Sequence, residues 1–378
     1  MDFDLSWILL GLPVAFVLGW LASRLDLRQW RIENRQAPKA YFKGLNYLLN
    51  EQQDQAIDAF IEAVQNDPDT SELHFALGNL FRRRGEYERA VRVHEHLLSR
   101  GDLDRADRDR AQHALALDYL KAGLLDRAEE ALIKLEGTAH ETQARLALLA
   151  IYERSRDWAR ATDIARKLEA GSAGAFGPRI AHYLCEQATQ VADDEAEPLL
   201  RQAMTVAKDA PRPRMELAAR QSRSGQHDEA VKTLLGLAHR SPGSIPLMAP
   251  RLAAASIQAE ATQEQVMQVL QSSYELHPSL DVLDAIAALE PDPQAARAWY
   301  LRHLEREPSL VAATRWMAGE KLEPEQAHAH VQNALEHAAK PLRRYRCAAC
   351  GFEAKQHFWQ CPGCQAWDSY PARRVEEL

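Results

Sequence analysis

The chain has 378 residues, 46% hydrophobic and 26% charged, which predicts two to three domains with a buried core and excludes general disorder. Its 17 glycines and 18 prolines are too few for a collagen-like or turn-rich all-β chain, and five cysteines are too few for a secreted disulfide scaffold. A net charge of −8 removes the electrostatic attraction that a dedicated nucleic-acid binder needs, so no nucleic-acid partner is expected.

The first predicted element covers residues 1–22. Leu5 to Ala22 carry no charge, and as a helix they would span about 27 Å, close to a bilayer core. Trp7 and Trp20 lie near the two ends, where indoles favour the headgroup region. A cleaved signal peptide would need a basic start, whereas this chain begins with Asp2 and Asp4, so the expectation is an uncleaved transmembrane helix. A buried globular helix is the other reading. Residues 23–36 form a basic juxtamembrane linker with Arg24, Arg28, Arg31 and Arg35 against Asp26 and Glu33. That asymmetry predicts a single pass with the bulk of the chain in the cytoplasm, where cysteines stay reduced.

Residues 37–340 carry a repeat. Placing Ala37 to Thr70 under Ser71 to Asp104 pairs Gly44 with Gly78, Tyr47 with Phe81, Ala56 with Ala90, Phe60 with His94 and Ala63 with Leu97. The thirty-four-residue period is that of the tetratricopeptide repeat (TPR), in which a small residue at the eighth and another at the twentieth position let two helices touch. Ala128, Ala161, Ala196 and Ala230 continue the twentieth position, with Val266 and Ala296 as weaker candidates, giving about six clear units and two or three degenerate ones. Irregularities fall at Gly101 to Arg108 and Gly171 to Pro178, and Pro68, Pro242, Pro278 and Pro308 fall where second helices should stop.

The predicted fold is therefore all-α, a TPR superhelical solenoid after an N-terminal transmembrane helix. Such a solenoid presents a concave face to a protein segment. Tyr41, Leu45 and Leu48 in the first unit, and Glu72, Phe75, Asn79 and Arg82 in the second, fall at positions that face this groove. The apolar ones equally suit packing against the linker or the next hairpin. Fourteen scattered histidines form no metal or catalytic motif, and Cys185 reads as a small buried apolar residue. No nucleophile elbow or phosphate loop is present, so no enzyme activity is expected.

The last element, residues 341–378, follows Pro341 and reads YRCAACGFEAKQHFWQCPGCQAWDSY from Tyr345. Cys347, Cys350, Cys361 and Cys364 make two C-x-x-C knuckles ten residues apart, a spacing that aims four thiolates at one ion. One zinc or iron ion suits four thiolates, and a reversible disulfide pair is the competing chemistry. So short a segment needs the ion for its folding. Gly351 and Gly363 are expected to supply backbone freedom at the knuckle turns. Trp359 and Trp367 either contact the repeats and partners or fill the module's own small core.

The order of span, repeats from PKAYFKGLNYLLNEQQDQAIDAFIEAVQ, and the closing YRCAACGF and WQCPGCQAW resembles the lipopolysaccharide assembly protein B family of Gram-negative bacteria. The resemblance implies a rubredoxin-like, zinc-ribbon metal domain at the C-terminus, iron slightly preferred, with ligands on the four cysteines. It further implies an inner-membrane protein, N-terminus periplasmic, that brings the deacetylase LpxC to the membrane protease FtsH and contacts lipopolysaccharide transport proteins, with a homodimer left open. The segment departs from rubredoxin in Gln365, where rubredoxin would have glycine, and in the shorter gap between knuckles. The alternative reading is an electron-transfer protein whose repeats dock a reductase.

Overall fold

The computed structural model describes residues 13–20, 42–66, 70–259, 263–318 and 325–378. Most of the expected span, the whole linker 23–36, Tyr41 and Pro68 lie outside them. Among the described residues no helix is long and apolar enough to cross a membrane. The single-pass location with a cytoplasmic body, expected from the N-terminal hydropathy and charge, is corrected accordingly.

The chain divides into two compact units, residues 1–155 and 156–378. The first holds α1 (42–49), α2 (Gln53–Asn66), α3 (Ser71–Arg84), α4 (Tyr87–Ser99), α5 (Arg105–Ala122), α6 (Leu125–Ile133) and α7 (Glu141–Ser155). Consecutive helices pack as hairpins, and the repeat's size rule is visible at their crossings. A Cβ on Gly44 would lie 2.7 Å from the Phe60 ring, and one on Gly78 would lie 2.5 Å from the His94 ring, so only glycine admits the second helix. Ala56, Ala90 and Ala128 at the twentieth position are wholly buried. Gly85 and Gly123 end α3 and α5 in the left-handed conformation, with φ of 85° and 77°, and so set the turn within each hairpin.

His94 replaces the phenylalanine of the preceding unit, so a polar ring enters a core position and requires partners. Its Nδ1 lies 2.5 Å from Asp118 Oδ2, Asp118 Oδ1 accepts from Arg82 at 2.8 Å, and Arg82 also donates to the Ala114 carbonyl and to Asn79. Both His94 and Asp118 are fully buried, and the network ties α3, α4 and α5 together.

The second unit holds α8 (Trp158–Ala170), α9 (Gly177–Gln190), α10 (Asp193–Val206), α11 (Pro211–Arg223), α12 (His227–Arg240), α13 (Ile245–Gln258), α14 (Gln263–Leu276), α15 (Leu280–Leu289), α16 (Pro293–Arg306), α17 (Leu310–Met317) and α18 (Glu325–Ala339). Ala161, Ala196, Ala230 and Val266 are buried in second helices, and Ala296 is half-buried. Pro242, Pro278 and Pro308 follow the ends of α12, α14 and α16. The two expected loops are shorter than read. Asp104 caps α5 by accepting the Asp107 N–H at 2.7 Å, and Pro178 enters the first turn of α9, where its missing N–H costs nothing. Cys185 is buried on α9, and burial pushes its thiol far up, which keeps it unreactive.

After Pro341 the chain leaves the helical pattern. β1 (Tyr345–Arg346) and β2 (Glu353–Ala354) pair antiparallel, with Tyr345 opposite Ala354 and Arg346 opposite Glu353. This ribbon belongs to the second unit and packs on its helices.

Candidate metal centre

Each knuckle is built by a tight backbone turn. In the first, the Gly351 N–H donates to the Cys347 carbonyl at 2.9 Å, and the Cys347 N–H donates to the Phe352 carbonyl at 2.9 Å. Gly351 sits at φ 78°, a left-handed conformation that glycine adopts without cost. In the second knuckle, the Gln365 N–H donates to the Cys361 carbonyl at 2.8 Å and the Cys361 N–H to the Ala366 carbonyl at 2.9 Å. The equivalent left-handed residue is Gln365, φ 60°, not Gly363, whose expected conformational role is thereby corrected. A Cβ on Gly363 would meet the Phe352 side chain at 3.5 Å, an ordinary contact distance.

The two turns bring Cys347, Cys350, Cys361 and Cys364 together with all four sulfurs within 4.8 Å of one another. Cys347 Sγ lies 3.8 Å from Cys364 Sγ, and Cys350 Sγ lies 3.7 Å from Cys361 Sγ. A tetrahedron with metal–sulfur bonds of about 2.3 Å has edges of about 3.8 Å, so these sulfurs fit a single ion. They are too far apart for the disulfide reading, which requires about 2.05 Å. Cys347 and Cys361 are buried, Cys350 and Cys364 exposed.

Local hydrogen bonding favours the thiolate at Cys347 and Cys361. Ser369 Oγ, 3.3 Å from Cys347 Sγ, leads the groups that draw this thiol down to about 6, helped by the backbone N–H groups of Cys350 and Ala349. At Cys361 burial opposes ionisation, but the N–H groups of Cys364 and Gly363 outweigh it and lower the thiol. At Cys350 the Phe352 N–H acts downward, yet desolvation of the sulfur among the neighbouring Cys364, Cys347 and Cys361 side chains pushes the thiol up to about 12. The charge of a bound cation would hold all four as thiolates.

The module's rings and carboxylates meet the repeat helices. Trp367 stacks on His182 of α9, with centroids 4.7 Å apart, and meets Trp158 of α8 and Tyr183 of α9 edge-on at 6.1 and 6.0 Å. Trp359 lies 5.9 Å from the same histidine. Asp368 holds His182 Nε2 with both oxygens at 2.9 Å. On the other side Arg374 forms a fork with Asp281 of α15 at 2.7 and 2.8 Å and lies 4.1 Å above the Tyr345 ring, while Tyr345 Oη is 3.3 Å from the same carboxylate.

The C-terminal residues were missed by pattern reading. Glu377 accepts the Leu280 N–H at 2.6 Å at the start of α15, and Glu376 accepts the Leu310 N–H at 2.6 Å and the Ser309 hydroxyl at 2.8 Å at the start of α17. Each carboxylate caps a helix N-terminus far away in sequence. Two adjacent acids at a chain end give no local signal of this.

Among the described residues, the expected groove positions are not brought to one free surface. Phe75 is 1% exposed, packed with Leu97, Leu103 and Ala111 under the Arg110 guanidinium, so its groove-facing role is corrected to an interior one. Leu48 packs against the α2–α3 core and Leu45 is half-buried. Asn79 and Arg82 belong to the His94–Asp118 network. Glu72 is exposed and pairs with Arg110.

The comparisons agree with this geometry. Residues 345–370 match the model described as the rubredoxin metal binding domain of a zinc-ribbon family, and residues 73–109 match the tetratricopeptide repeat. Lipopolysaccharide assembly protein B of Escherichia coli strain K12 is 31% identical, covering 99% of this chain and all of that protein. The Haemophilus influenzae protein of the same name is 27% identical over 96% of each chain. The repeats, the four-cysteine ribbon and these full-length matches lead to one conclusion: the chain belongs to the lipopolysaccharide assembly protein B family.

Proposed function

We propose that the chain is a non-enzymatic adaptor in lipopolysaccharide assembly, whose repeats hold protein clients and whose metal ribbon fixes the geometry of the second unit. The full-length likeness to lipopolysaccharide assembly protein B carries this reading. The finer role is to present the deacetylase LpxC to the protease FtsH and to contact lipopolysaccharide transport proteins. Helical hairpins supply binding surface without a nucleophile or cofactor cleft, which suits presentation rather than chemistry.

Within this role the ribbon's own residues do mechanical work. Cys347, Cys350, Cys361 and Cys364 would hold one zinc or iron ion, which when bound supplies a tetrahedral crosslink between the knuckles. Trp367 and Asp368 then stay pressed on His182, and Arg374 on Asp281, so the ribbon braces α8, α9 and α15 against one another.

The test is reconstitution. Purified LpxC and FtsH are mixed with and without the metal-loaded chain, and LpxC loss is followed over time. An accelerated loss that needs the chain in stoichiometric amount supports the adaptor. Unchanged LpxC turnover, with the chain folded and metal-loaded, removes this role.

A further inference from the structure

Between α11, α12 and α13 lies a cavity of about 310 Å³, inside the second unit and away from the four cysteines. Ala218, Ala219 and Ser222 on α11 face Arg251, Ala254 and Ala255 on α13, with Leu234 and His227 of α12 completing the lining. The spacing of three and four residues places each trio on one helix face. The hollow exists because four of the lining positions are alanine, the smallest side chain that still supports a helix.

Two lining groups have a polar atom without a partner among the described residues. Arg251 is exposed and has no ion-pair or hydrogen-bond partner among the described residues, whereas Arg212 and Arg220 on the adjacent helix α11 are engaged by Glu216, Glu186 and Asp193. His227 Nδ1 is enclosed with no hydrogen-bond partner. Asp228 and Glu229 follow on α12 but are exposed and outside the lining, and Glu229 is paired with Lys232. The cavity therefore combines an apolar floor with an unneutralised cation and an unsatisfied imidazole nitrogen, in a chain whose net charge is −8.

We infer that this cavity is a docking site for an internal peptide segment of a client protein, one that places an aliphatic side chain on the alanine floor and a neighbouring aspartate or glutamate against Arg251. The inference deepens the adaptor reading and rests on it. The volume is at the small end of ligand pockets, which suits one or two side chains. An apolar side chain can cover Ala218, Ala219, Ala254 and Ala255, and a carboxylate can take the guanidinium in a fork. Ser222 and His227 stand beside it for the peptide's backbone groups. A lysine at the acidic position would face Arg251 with like charge, so the site selects by sign as well as by shape.

The experiment uses the full metal-loaded chain and fluorescein-labelled decapeptides, blocked at both ends, each with one Leu-Asp pair in a Gly-Ser spacer. Matched peptides carry Leu-Asn, Leu-Lys or Ser-Asp. Fluorescence polarisation should give the Leu-Asp peptide about a tenfold tighter Kd than the others, the size expected for one charge-assisted contact. Arg251→Glu should reverse the preference toward Leu-Lys, and Ala254→Leu, which fills the hollow, should weaken all four, with circular dichroism confirming unchanged helicity. Arg223→Glu, outside the lining, should change nothing. Equal binding of all peptides, or an Arg251→Glu variant with wild-type preference, overturns the inference. Tighter binding of a free C-terminal leucine than of the internal Leu-Asp pair also overturns it, in favour of a chain terminus as occupant. If the peptides behave as expected while LpxC turnover is indifferent to the chain, the adaptor role fails and the site stands. If turnover responds while Arg251→Glu changes neither assay, the site fails alone.

Discussion

Arg374→Ala tests how the ribbon is held to the repeats. The guanidinium bonds both oxygens of Asp281, donates to the Arg343 carbonyl at 2.7 Å and covers the Tyr345 ring. Asp281 is 7% exposed, so removing Arg374 leaves a buried carboxylate whose remaining hydrogen-bond partner among the described residues is the Tyr345 hydroxyl. Breaking a buried pair from one side costs about 3–5 kcal/mol, most of it the stranded charge. Asp281→Asn leaves a less buried arginine that keeps its carbonyl partner and should cost about 1–2 kcal/mol. The double variant strands no charge, so its cost should fall short of the sum by about 2 kcal/mol. Urea titration gives the energies, with a chromogenic chelator reporting ribbon opening by metal release and far-ultraviolet circular dichroism reporting the helices. Metal release should shift to lower urea in Arg374→Ala, before most helix is lost. An Arg374→Ala variant within about 0.5 kcal/mol of wild type, or strictly additive costs, would refute this account of docking.

Three other perturbations separate the local forces. Gln365→Gly should relieve a left-handed side chain worth roughly 1–2 kcal/mol and lose part of it to unfolded-state entropy, so the ribbon gains up to about 1 kcal/mol and releases metal more slowly to chelator; faster release contradicts the assignment. Burial lowers the pKa of His303, whose Nδ1 is 2.7 Å from Tyr274 Oη, so the unfolded chain takes up a proton near pH 6.5 while the folded one resists. Stability from this group is therefore complete above about pH 6.5 and declines as pH falls below it, and His303→Gln should flatten that slope in urea titrations run from pH 7.5 to 5. Zinc-loaded and iron-loaded chains should support equal LpxC turnover, because the ribbon acts by bracing; activity that needs iron at equal folding would favour electron transfer.

The repeats were legible because their chemistry is local. Gly44 and Gly78 are spaced by the period, and the structure gives the reason in the rings of Phe60 and His94 that occupy the missing side chains. The four-cysteine gathering was legible for the same reason, since each C-x-x-C turn is closed by its own backbone hydrogen bonds. Hydropathy spacing could not separate a groove residue from a core one, so Phe75 read as groove-facing although it is interior. It also could not show that His94 brings Asp118 and Arg82 with it, because those partners lie on other helices. Long-range polar contacts left no trace in the pattern: Asp368 to His182, Arg374 to Asp281, and the two terminal glutamates on α15 and α17. Gln365 is instructive in the other direction. The departure from glycine was visible, but the backbone keeps the left-handed turn regardless, at a local cost.

The most direct test of the central claim is X-ray absorption at the metal edge of the purified full chain, paired with elemental analysis. The account predicts one zinc or iron ion per chain in a shell of four sulfurs at about 2.3 Å, collapsing when both cysteines of either knuckle become serine. A first shell of nitrogen or oxygen, fewer than four sulfurs, or an ordered ribbon without metal would contradict it.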